Sequence, residues 1–165
     1  MTKLKMIIRR LPRWVRWLVW YLWVYVMLRV RVELERRDLP LSVVMASVGA
    51  FAPSAGMRLA YLDGTYRTVS RGLFEQVVRW DWTERLPWVA ELFDCDNFSR
   101  HFAERLGIMF GLNSVGIVVD YGGAHAYNLV VFSDGTVTLF EPQTDAYPSP
   151  GSALQYAYQD GIVLL

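Results

Sequence analysis

Cys95, in Phe93-Asp94-Cys95-Asp96-Asn97-Phe98, is the only cysteine of the chain. His125 follows it in Gly122-Gly123-Ala124-His125-Ala126-Tyr127-Asn128, and Glu141 in Phe140-Glu141-Pro142-Gln143-Thr144-Asp145. Cysteine, then histidine, then acid is the chemistry of a thiol nucleophile with a base and an orienting group. The histidine takes the thiol proton, the thiolate attacks a carbonyl, and the carboxylate holds the imidazole. Asp94 suits a helix N-cap, which places Cys95 in a first turn where unpaired amides favour a thiolate. Asp94 and Asp96 work the other way, since nearby negative charge raises a thiol pKa. A protonated His125 or a bound cation would restore the balance. The structural alternatives stand beside this reading. A lone cysteine on an apolar helix face with Phe98, Phe102 and Leu106 is commonly a small buried hydrophobe, a strand histidine is commonly a surface or core residue, and a glutamate before proline is often a strand end.

The elements that must position these residues are a helix from Cys95, broken or ended at Gly107 or Gly111, and a run of strands after it. Val115 to Tyr121 is β-branched and reads as a buried strand, His125 to Phe132 as the next, and Val137 to Glu141 as a strand pairing back. Register decides whether His125 and Glu141 meet. A two-residue turn at Asp134-Gly135 would put Glu141 on the face opposite His125. A three-residue loop, Ser133-Asp134-Gly135 with Gly135 left-handed, pairs Phe132 with Thr136 and Tyr127 with Glu141, one diagonal step from His125. The three-residue loop is expected, and Asn128, on the other face, is expected to be structural.

Upstream, Ser70 caps a helix running to about Trp80, with Leu73, Val77 and Trp80 on one face. Pro87 opens a short second helix through Leu92, Asp63-Gly64 signals a hairpin between Leu59 and Tyr66, and Ile162 to Leu165 is a last strand. Residues 38–57, with Pro40, Pro53, Gly49 and Gly56, read as a linker, so the domains expected are a head over 1–37, a linker over 38–57 and a globular part over 58–165. In the head, Arg9, Arg13 and Arg16 share a helical face and Trp17 to Leu28 carries no charge. Trp14, Trp17, Trp20 and Trp23 suit a membrane interface, and the stretch from Trp14 to Val32 is near the length of a span; a segment packed on a partner or on its own domain, and a targeting segment, are the alternatives. The alternation from Val24 to Glu35 is also a strand period, so helix and strand both stand open here. A cleavable signal peptide fits poorly, because Arg29 and Arg31 follow the apolar stretch.

The formal net charge of +1 hides an asymmetry. Residues 1–37 hold ten Lys or Arg against Glu33 and Glu35, a net +8, and the remainder is net −7. A basic, Trp-rich head points to a membrane or virion surface, on the cytoplasmic face if membrane-bound, while the acidic body argues against nucleic acid for the globular part. One cysteine excludes an intramolecular disulfide, and two histidines with no CxxC make zinc a poor fit.

The segments Phe93-Asp94-Cys95-Asp96-Asn97-Phe98, Val115-Gly116-Ile117, His125-Ala126-Tyr127-Asn128 and Glu141-Pro142-Gln143-Thr144-Asp145 resemble the MOA-related, agglutinin C-terminal domain family. That domain is found fused to a lectin in a mushroom agglutinin and as single-domain proteins in bacteriophage genomes. The resemblance covers roughly residues 58–147 and implies an α+β, papain-like fold, cysteine peptidase chemistry and a calcium-dependent active form. By it Cys95 matches the nucleophile, His125 the base and acid, and Glu141 the orienting group. Asp94, Asp96 and Asp145 are the oxygen-rich candidates for calcium. The lectin half has no counterpart here, so carbohydrate binding is not inherited with the resemblance. Glu84 to Phe93 contains no Gln or Asn, where papain-like enzymes place an oxyanion donor; the Cys95 amide is left to serve.

Three functions follow as expectations: a cysteine hydrolase acting on a peptide or protein, a catalytically inactive binding or structural module such as a phage accessory protein, and a cell-wall amidase of the NlpC/P60 kind. A Cys95 within hydrogen-bond reach of His125 favours the first.

Overall fold

A computed structural model describes residues 11–51 and 56–165. Arg9 of the predicted basic face and Pro53 of the predicted linker lie outside the described residues. In chain order the elements are helix α1 (Arg13–Glu35), strand β1 (Arg37–Pro40), helix α2 (Leu41–Phe51), β2 (Gly56–Ala60), β3 (Thr65–Thr68), α3 (Arg71–Trp80), α4 (Cys95–Phe110), β4 (Val115–Asp120), β5 (His125–Val131), β6 (Val137–Phe140) and β7 (Asp160–Leu164). Short 3-10 turns occupy Thr83–Arg85 and Leu154–Tyr156. The class is α+β, as the sequence implies.

A five-stranded sheet in the order β2-β7-β4-β5-β6 forms the centre. Only the β2–β7 pair is parallel. Alternation along the strands divides its side chains between two cores. Val130, Phe132 and Phe140 face α3 and α4, where they meet Phe74, Phe102 and Leu106. Val118, Tyr127, Leu129 and Leu139 face the other way, toward Val44 and Val48 of α2.

The Ser70 cap is present, its hydroxyl accepting from the Leu73 amide, and Leu73, Val77 and Trp80 are buried as the period requires. Helix α4 begins at Cys95, runs through Gly107 and ends where Gly111 turns left-handed at φ 70°. The three-residue hairpin loop also forms. Gly135 sits at φ 82°, the Phe132 amide donates to Thr136 O, and the pairs Val131–Val137 to Asn128–Phe140 place Glu141 opposite Tyr127.

One open alternative is decided and three expectations are corrected. Arg13–Glu35 of the head is a helix, α1, which leaves the strand alternative there without support. The predicted linker is built into the body: Arg37–Pro40 pairs with β3, and the uncharged run after Pro40 forms α2, whose Val44 and Val48 are buried. Its Ser, Ala and Gly content masked a helix with one strongly apolar side. No hairpin joins Leu59 to Tyr66, because β2 finds β7 and β3 finds β1, partners remote in sequence. The residues after Pro87 form a turn closed by the Val89–Phe93 bridge rather than a helix.

Helix α1 docks along α3 and α4 through Tyr21, Val24, Tyr25, Leu28 and Val32. Polar bonds fix its angle. The Tyr25 hydroxyl and Arg29 Nη1 both donate to Met109 O at the end of α4, at 3.3 and 3.1 Å, and Arg31 Nη1 donates to Gln76 Oε1 of α3 at 2.6 Å.

Candidate functional site

His125 opens β5 and Glu141 stands just past β6, and the register brings them together. His125 Nε2 donates to Glu141 Oε2 at 2.7 Å. Glu141 is almost fully buried and is satisfied by further donors, the Tyr156 hydroxyl at 3.0 Å and the Gln143 amide at 3.1 Å. Burial first, and then the Glu141 carboxylate, push the Tyr156 hydroxyl up to about 12. Beside this pair, buried Asp120 accepts from the Tyr127 hydroxyl, the Tyr158 amide and the Gly123 amide. Tyr127 is raised by burial and by that bond. Gly123 is required here, since a Cβ would meet Gln155 O at 2.6 Å. Asp120, Tyr127 and Tyr156 escape sequence reasoning. The one signal for them is register, because Asp120 pairs with His125.

Cys95 is half-buried at the first residue of α4. Helix α4 packs on the face that carries Asn128, whose Nδ2 donates to Ser99 O and Gly116 O. Asn128 is thus structural, tying helix to sheet. His125 has the parity of Tyr127 and belongs to the opposite face, where its ring lies against Tyr127 and Tyr156. Among the described residues no hydrogen bond joins Cys95 to His125. The register yields a histidine–carboxylate pair.

The candidate calcium ligands do not form one set. The side chains of Asp94 and Asp96 act on each other, which holds Asp94 below and Asp96 above the usual carboxylate range. Asp145 stands among Glu84 and Asp81 instead. Among the described residues no group of three or more His, Cys, Asp or Glu could hold a metal ion.

A second feature, absent from sequence reasoning as a site, is a groove of about 540 Å³ between α1 and α3. Trp17, Trp20, Tyr21, Trp80 and Trp82 line it. Gln76, Arg79, Asp81 and Arg85 add polar groups. Trp17 stacks on Tyr21 at 5.2 Å between ring centroids, and Tyr21 on Trp80 at 4.8 Å. Arg105 of α4 locks the floor. Its guanidinium pairs with buried Asp81, lies over Trp80 and Trp82 at 5.2 and 4.9 Å, and donates to the Tyr21 hydroxyl. Trp17 and Trp20, expected at a membrane interface, share this groove with Trp80 and Trp82, which are remote in the chain.

No family model matches the chain, and no curated protein does. Among solved structures it is similar to PSL1a in its complex with E64, at 28% identity and a TM-score of 0.59, over 78% of this chain and 51% of that one. It is also similar to the Polyporus squamosus lectin bound to the human-type influenza-binding epitope Neu5Aca2-6Galb1-4GlcNAc, at 23% identity and a TM-score of 0.59, over 78% of this chain and 49% of that one. The chain spans about half the length of the structures it matches. The agglutinin likeness stated from motifs is therefore matched in fold. One of these structures is named a lectin and neither is named a protease, so the hydrolase and cysteine protease reading is corrected as unsupported, and neither a phage origin nor calcium is shown.

Asp145 interacts with Asp81 and Arg85, two of the residues that line the groove, and its own carboxyl gives the fold a pH dependence. Burial, then the Glu84 and Asp81 charges, raise its carboxyl to about 6, against the pull of Arg85. The folded chain therefore holds this proton more tightly than the unfolded one, and the stability due to Asp145 falls as pH rises from the ordinary carboxylate range to about 6. Asp145 is left-handed at φ 55°, which Asn tolerates. Asp145→Asn is expected to stabilise the protein by about 1 kcal/mol at pH 7, after allowance for solvent screening. Thermal melts check it: the variant gains a few degrees at pH 7 and nothing at pH 3.5, and equal melting at both pH values would contradict the assignment.

Proposed function

We propose that the chain is a binding module whose ligand, a carbohydrate, lies in the aromatic groove between α1 and α3. The groove itself carries the reading. It is an apolar cleft with a few convergent polar groups, the usual build of a ligand site. Its aromatic floor is rigid, because Tyr21, Trp80 and Trp82 are held by the Arg105 contacts, while Trp17 and Trp20 stand more than half exposed at its lip. A pyranose offers a flat C–H face to such rings and hydroxyls to Gln76, Arg79 and Arg85. The likeness to the Polyporus squamosus lectin supports binding as the role. The chain covers half of that protein, so the identity of the sugar does not come with the likeness.

A glycan array with the full chain, followed by fluorescence titration of the strongest binder, tests the proposal. Trp17→Ala with Trp20→Ala should weaken that binder at least tenfold and leave the melting temperature unchanged, as both side chains are exposed. No glycan bound, or binding untouched by the substitutions, would overturn it.

A second seat is favoured by one observation: PSL1a, 28% identical, forms a complex with E64. We infer that Cys95, half-buried at the α4 N-terminus, accepts an electrophile of that kind. The thiolate attacks an epoxide carbon, a C–S bond forms, the C–O bond breaks and the oxygen takes a proton. Intact mass after incubation with E64 should show one adduct on the wild type and none on Cys95→Ser. A wild type that stays unmodified would reduce Cys95 to a helix residue.

A further inference from the structure

Helix α1 has a second side, which neither core covers. Its inward residues, from Tyr21 to Val32, meet α3 and α4. Val19, Trp23, Val26, Val30 and Leu34 fall on the opposite side at helical spacing. Each is exposed, Trp23 at 61% and Leu34 at 78%. Leaving so many large apolar side chains in water on one face marks an interaction surface. The groove does not absorb it, because that lies on the flank of Trp17 and Trp20.

Charge says what covers this face. Arg13 and Arg16 stand at its N-terminal end, and Lys3, Lys5, Arg9 and Arg10 precede them in the sequence. The first 37 residues are net +8 against −7 in the remainder. A second copy would bring two such heads together. An anionic bilayer would instead take the apolar side chains below the headgroups and the arginines at the level of the phosphates, with tryptophan at the boundary. Among the described residues no helix is long and apolar enough to cross a membrane. We propose that α1 lies in the plane of an anionic lipid surface, its Val19–Trp23–Val26–Val30–Leu34 side inserted at the interface and its basic N-terminal end on the lipid phosphates. The acidic body then hangs on the aqueous side with the groove at the membrane boundary.

Co-sedimentation of the full chain with phosphatidylcholine vesicles, with and without 30% phosphatidylglycerol, is the test. Binding to the anionic vesicles is expected, with at least tenfold weaker binding to the neutral ones and release at high salt. Val26→Glu with Val30→Glu should abolish it at unchanged far-ultraviolet circular dichroism, and Arg13→Glu with Arg16→Glu should weaken it. Arg79→Ala, in the groove and off this face, should bind vesicles as the wild type does, so failure of the carbohydrate reading and failure of this one remain distinguishable. No binding to either vesicle, or a dimer that the Val26/Val30 variant dissociates in the absence of lipid binding, would overturn the proposal.

Discussion

Arg105 is the side chain on which the arrangement of helices depends. It leaves α4, pairs with an Asp81 that has almost no contact with water, lies over two indoles and donates to the hydroxyl of Tyr21. Four pieces of chain, α1, the end of α3, the turn after it and α4, are joined by one guanidinium. Its planar fork and its affinity for aromatic faces allow this, and a lysine would reproduce neither. Removing one partner of a buried pair leaves the other charge stranded, at a cost of about 3–5 kcal/mol. Because Tyr21 is held from below, Trp82 Nε1 and Trp80 Nε1 find their acceptors on the same residue, its hydroxyl and its carbonyl. The groove follows from this clamp. So does the orientation of α1, which turns its remaining apolar side outward.

The sheet imposes a second constraint, the alternation of side chains between its two faces. Strand residues two apart share a face, and neighbours in sequence do not. Asn128 faces α4 and holds it through Ser99. His125, odd where Asn128 is even, faces the other core with Tyr127 and pairs with Glu141. The buried carboxylates Asp120 and Glu141 are each saturated with donors, which is what keeps such groups stable away from water. Their work is to pin the Gly122–Ala124 turn and the Leu154–Tyr156 turn against the end of the sheet. The thiol at the start of α4 is flanked in sequence by two carboxyl groups, Asp94 and Asp96.

Legibility in the sequence followed the range of the interaction. Local signals were enough for the Ser70 cap, for the start of α4 at Cys95, for strands β4 to β6 and for the His125–Glu141 register, which a single left-handed glycine sets. Long-range pairing was not legible. Asp63-Gly64 has the composition of a hairpin turn, yet the strands on either side of it belong to different sheets. The segment after Pro40 carries the small residues of a linker, and its helix is stabilised by burying Val44 and Val48 against strands that come much later. In α1 the two-residue and helical periods coincide from Val24 onward, so only the packing partners decide between them. The groove was the least legible feature, since its aromatic walls come from two distant stretches and each stretch has another plausible use for tryptophan.

The groove and the outward face both require that α1 be docked as part of the body rather than carried as an appendage. Amide hydrogen exchange along α1 in the full chain tests that most directly. The expected result is protection from Val24 to Val32 that matches the Leu73–Val78 stretch of α3, because both are sealed in one core and open together. Exchange of the α1 amides within seconds while α3 stays protected would mean an undocked helix, and with it no groove.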